Sequence, residues 1–95
     1  MAEKEFIKSM YELAKRLKGN NLTESDKKRI IKYFNTSKKT TTAEKAVDAV
    51  EKATGKFLSG NIIYFEKSAS STLDNIDNLL MQMKIEASKW EKERN

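Results

Sequence analysis

Apolar residues near the C-terminus recur in a strict four-three rhythm: Ala69, Leu73, Ile76, Leu80, Met83, Ala87 and Trp90. Such spacing is a heptad seam. It places all of them on one stripe of one helix, and another surface must cover that stripe. The pattern ends near residue 92, but its beginning admits two readings. Gly60 and Asn61 mark a turn, and the apolar run at residues 62–65 (IIYF) reads as helix, because no second strand exists for it to pair with. The polar run at residues 68–72 (SASST) interrupts it, and Ser71 with Asp74 offers a fresh capping box. The last helix therefore starts either near residue 62 or near residue 71.

Three further helices are predicted upstream. Phe6, Met10, Leu13 and Leu17, widened by Ile7 and Ala14, predict a helix over residues 3–18, with Gly19 placed for a left-handed C-cap. Thr23 and Asp26 resemble a capping box opening a helix over residues 24–35, whose short apolar face is Ile30, Ile31 and Phe34, with Leu22 as a staple. Residues 35–42 (NTSKKTTT) read as a linker, since serine and threonine compete with helical hydrogen bonds. Thr41 and Glu44 then open a third helix, and Ala43, Ala46, Val47, Val50, Ala53 and Phe57 form its face. Small residues there let a neighbour approach closely.

The expected fold is all-α: a compact antiparallel bundle of three to four helices with a long C-terminal helix, one helical domain over residues 1–95. A chain of 95 residues without proline and with three glycines suits long helices and one small core. Because the first and third helices also carry complete apolar faces, the seam is expected to be covered within the chain. Pairing with a second copy stays open, so the molecule is a monomer or a homodimer. Trp90 ends the seam either as the lid of the core or as an interface anchor; tryptophan serves both roles.

Charge sharpens the functional question. The chain carries net +5, but residues 15–39 hold nine bases against Glu24 and Asp26, a local +7. The remainder is −2. Lys27, Lys28, Arg29, Lys32, Lys38 and Lys39 are the candidate partner- or polyanion-binding residues, Lys28 and Lys32 sharing a face at i, i+4. Lysines of this kind on nucleic acid contact phosphates and give salt-sensitive binding without sequence preference. A solvated helix face is the competing reading. A helix-turn-helix is excluded by the long linker, and by Glu44, Asp48 and Glu51 where a reading helix needs donors.

No catalytic residue, metal ligand or cofactor is expected. There is no histidine and no cysteine, which removes imidazole and thiol chemistry. The carboxylate pairs Glu44 with Asp48 and Asp74 with Asp77 read as solvated charge, and TGKFLSG lacks the order of a phosphate-binding loop. No membrane span is predicted, because the longest apolar run is residues 62–65, and no signal peptide is recognisable in MAEKEFIKSMYELAKRL. A cytoplasmic location follows as an expectation.

KAVDAV at residues 45–50 with the later IIYF resembles, over about twenty residues, the helix-to-strand passage of HU-type nucleoid proteins. The β-arm and proline-tipped ribbon of that family have no counterpart here. Four helices, basic charge and a length under a hundred residues are similar in layout to the immunity proteins of small bacteriocins and to small phage-encoded inhibitors. The expected function is a small non-catalytic binding protein: an inhibitor, immunity or regulatory factor of the phage or mobile-element type. It would dock on a protein partner, acidic where it meets the basic face, or use an apolar strip beside the seam. Non-specific nucleic-acid binding through residues 15–39, or a self-assembling structural subunit, is the alternative.

Overall fold

The computed structural model describes residues 1–19, 21–58 and 70–94, with side chains in the last helix from residue 76 onward. Four helices are present among them: α1 (Ala2–Lys18), α2 (Glu24–Thr36), α3 (Thr42–Thr54) and α4 (Ser70–Arg94). They pack as an all-α bundle with the long helix last. The expected turn at Gly60 and Asn61, the helix over residues 62–65 and the seam position Ala69 lie outside the described residues. So do the side chains of Leu73, Ser71 and Asp74.

Local signals set the helix ends. Gly19 closes α1 at φ 86°, and its N–H donates to the Lys15 carbonyl. Gly55 closes α3 at φ 73° in the same left-handed region, which glycine enters without steric cost. That second stop corrects the expected third face. Phe57 lies beyond the cap and is 50% exposed; Leu58 covers the core instead, its N–H held 2.7 Å from a Glu51 carboxylate oxygen. The linker is also shorter than expected. Thr36 stays helical by donating its hydroxyl to the Lys32 carbonyl at 3.0 Å, so only residues 37–41 connect α2 to α3.

Both expected capping boxes form, at Thr23 with Asp26 and at Thr41 with Glu44. The carboxylate of Glu91 on α4 adds a third acceptor at the start of α3, taking the Thr42 N–H at 2.9 Å. Amides at a helix start have no intrahelical partner, so a carboxylate from a neighbouring helix both satisfies one and docks the two elements.

The core gathers Phe6, Met10, Leu13 and Leu17 of α1, Ile30 of α2, Ala46, Ala49, Val50 and Ala53 of α3, and Ile76, Met83 and Ala87 of α4. Of the seam, Ile76, Met83 and Ala87 are thus buried inside the chain, with Leu80 and Trp90 packed against the same core. The alanine-rich α3 lies against all three other helices, which its small side chains permit. α1 packs chiefly on α4 and α2 chiefly on α3, whereas α1 and α2 touch each other little. That pairing creates the site.

Candidate functional site

Consecutive helices joined by a short turn normally lie side by side. Here α1 and α2 touch each other little, and two side-chain clusters join them, one at the turn and one toward the start of α1. At the turn end, Asp26 sits at the third position of α2, 3% exposed. Its Oδ2 accepts the Thr23 N–H at 3.0 Å and also pairs with Lys18 Nζ from the last turn of α1. Its Oδ1 lies 2.5 Å from Arg29 Nη2, which also donates to the Ala53 carbonyl at 3.2 Å. One carboxylate therefore ties the end of α1 and the start of α2 to the last turn of α3. The Lys18 hydrogen bond, followed by the Thr23 amide, holds the Asp26 carboxyl far below the usual carboxylate range.

At the other end the join is aromatic. Phe6 meets Phe34 edge-on with ring centroids 5.4 Å apart and stacks on Trp90 at 5.1 Å. The Arg94 guanidinium lies over the Trp90 ring at 4.2 Å. Trp90 is half-buried and takes the place of the core's lid, between Phe6 and Phe34 on one hand and Arg94 on the other.

Between these joins lie two hollows of about 540 and 290 Å³, both lined by Tyr11 and Lys27. Ile31 and Leu22 complete an apolar floor, each half-buried and packed against the core. Lys8 and Lys15 stand on the α1 rim, and Lys27 and Lys28 on the α2 rim. Lys27 arches across the middle: its Nζ is 5.5 Å from the Tyr11 ring centroid and 3.4 Å from Glu24 Oε2.

The structure places the six candidate basic residues in different surroundings. Lys27 and Lys28 line the groove, and Lys32 is exposed one turn further along α2. Arg29, itself exposed, reaches toward α3, where its Nη2 donates to both Asp26 Oδ1 and the Ala53 carbonyl. Lys38 is exposed on the linker, and Lys39 lines a separate hollow with Ala43, Glu44 and Lys84. Sequence reasoning missed Lys8 and Tyr11, and took Lys15 only as the start of the basic segment. Their spacing, three then four, marks one face of α1 beside the core stripe, a signal that gains meaning once α2 is known to border it.

Other candidate features resolve into structural roles. Glu44 is engaged by the Thr40 and Thr41 hydroxyls and the Thr41 amide, which lower its pKa, and Asp48 accepts from Ser37 at 3.0 Å and pairs with Lys52 at 3.3 Å. Among the described residues, no group of three histidine, cysteine, aspartate or glutamate side chains is placed to hold a metal. An apolar strip beside the seam does exist, at Met81 and Ile85 on α4, 62% and 44% exposed. No helix among the described residues is long and apolar enough to cross a membrane. Comparison with known proteins gives no match to a family model, a curated protein or a solved structure.

Proposed function

We propose that this chain is a non-catalytic binding protein that docks on a protein partner through the lysine-bearing face of α2. It belongs by this reading with inhibitors, immunity proteins or regulatory factors of the phage or mobile-element type. The supporting observation is how the bases of α2 are used. Arg29 is engaged by Asp26 and the Ala53 carbonyl, while Lys28 and Lys32 are exposed one turn apart and Lys27 stands half-buried beside them. Ammonium groups held along one packed helix attract an acidic surface and speed its approach.

The engagement of Arg29 by Asp26 and the Ala53 carbonyl weighs against the nucleic-acid alternative. Arginine makes most specific base contacts, and residues 15–39 contain only one other, Arg16. Burial of Ile76, Met83 and Ala87 inside the chain weighs against assembly through those positions. A chain without histidine or cysteine also lacks the commonest general base and the thiol nucleophile.

The test is joint replacement of Lys27, Lys28 and Lys32 by Glu. Circular dichroism is expected to show unchanged helix content, while a partner recovered from the native host by the wild-type protein is lost. Recovery of that partner by the triple variant would place the docking site elsewhere. A gel shift of random-sequence DNA by the wild-type protein at low salt, abolished in the same variant, would favour the nucleic-acid alternative.

A further inference from the structure

The groove carries the basic face onto α1, and we infer that it receives a short acidic amphipathic helix of the partner protein. This names the occupant of the docking site proposed above and rests on that reading. One apolar side chain of the incoming helix seats on Tyr11 and Ile31. Its carboxylates meet Lys8 and Lys15 on one rim and Lys27 and Lys28 on the other.

Two properties of the groove select this occupant. The first is its floor. Tyr11, Leu22 and Ile31 are each half-buried, so part of their apolar surface stays in water until something covers it. Ile31 and Leu22 are aliphatic, which suits a leucine or phenylalanine side chain rather than a nucleobase needing a flat aromatic face. The second property is charge. Four lysines stand on the rims against Glu12 and Glu24, and Glu24 is itself paired with Lys27. Two helices that touch little and border open hollows offer a trough into which a third helix packs by its ridge, with acids falling on both flanks.

A fluorescein-labelled peptide of about four helical turns tests the inference, with Leu and Phe on one face and Glu on the others, beside a scrambled peptide of identical composition. Fluorescence anisotropy at about 0.15 M salt is expected to show the amphipathic peptide binding about ten-fold more tightly than the scrambled one, because only the first can seat an apolar side chain on the floor. Tyr11→Ser should remove that preference. Lys8→Gln combined with Lys15→Gln should weaken the amphipathic peptide by about three- to ten-fold without disturbing the fold, since both positions are exposed.

Equal binding of the two peptides would overturn the inference, as would unchanged binding by the Lys8/Lys15 variant. Tighter binding of a single-stranded oligonucleotide of matching length would also overturn it. The two levels of the argument fail separately. If the α2 triple variant loses the host partner while the Tyr11 and Lys8/Lys15 variants keep it, the groove falls and docking on α2 stands. If all of them keep it, the docking reading itself falls.

Discussion

The two joins between α1 and α2 do the same mechanical work by opposite chemistry. At the turn end a single carboxylate gathers Lys18, Thr23 and Arg29; at the far end three aromatic rings close over one another. The polar join is local, its members drawn from the residues flanking one turn, with only the Ala53 carbonyl reached across the fold. The aromatic join spans the chain, bringing positions 6, 34 and 90 together. The difference teaches where each is vulnerable. Aromatic packing depends on filled volume and is indifferent to pH, whereas the Asp26 join depends on one group staying ionised. Because the helices are secured at both ends, the groove between them stays open without weakening the bundle.

The sharpest way to break this comparison is Phe6→Ala. Phe6 is fully buried and touches both other rings, so its removal should cost about 3–5 kcal/mol. At about 4–8 °C per kcal/mol for a domain of this size, the melting temperature should fall by well over 10 °C. A fall of only a few degrees would mean that the aromatic end is not the stronger join.

Asp26→Asn should cost less and carry a pH signature that Phe6→Ala lacks. The Asp26 carboxyl is held below its ordinary value of about 3.9, so folding favours its charged form. Its contribution is therefore complete above about pH 4 and is lost as the pH falls from there toward its folded value. Urea unfolding midpoints should separate wild type from Asp26→Asn at pH 7 and converge on acidification. Glu44 and Glu91 are shifted in the same direction, so the variant should keep some acid sensitivity. A gap between the two proteins that is constant from pH 7 to pH 2 would refute the role given to the carboxylate.

Thr23→Ala, removing only the hydroxyl half of the capping box beside Asp26, should cost about 1 kcal/mol, visible as a small shift in the same urea curves. The smallest effect belongs to the groove. Lys8→Gln with Lys15→Gln should leave stability within about 0.5 kcal/mol, since neither lysine supports either join. A larger loss would show that the rim is part of the scaffold.

Much of the scaffold was legible because it is written in short-range spacing. The α1 stripe, the Gly19 stop, the threonine boxes and the seam from Ile76 onward each need only neighbours within one or two turns, and each stands where the pattern put it. The third face failed at Phe57 because a glycine at a helix end and one a few residues before it look alike in periodicity; only the left-handed φ of Gly55 shows which ends the helix. The six candidate bases were read from a list of charges. Their surroundings depended on where α3 ends, which gives Arg29 the Ala53 carbonyl, and on the linker, which carried Lys39 toward α4.

By itself, then, the amino-acid order determined that this chain forms amphipathic helices, where most of them stop, and that one segment of it concentrates positive charge. Those properties follow from backbone sterics and from side chains three or four residues apart. Only the tertiary structure decided which helices pair. α3, with its small residues, drew all three others toward itself, and α1 and α2 were left apart between their two joins. That choice turned Tyr11 from a flank of a stripe into a floor, and the flanking lysines into its rims. Burial is a property of what comes to lie opposite a residue, and no spacing along one helix encodes its opposite.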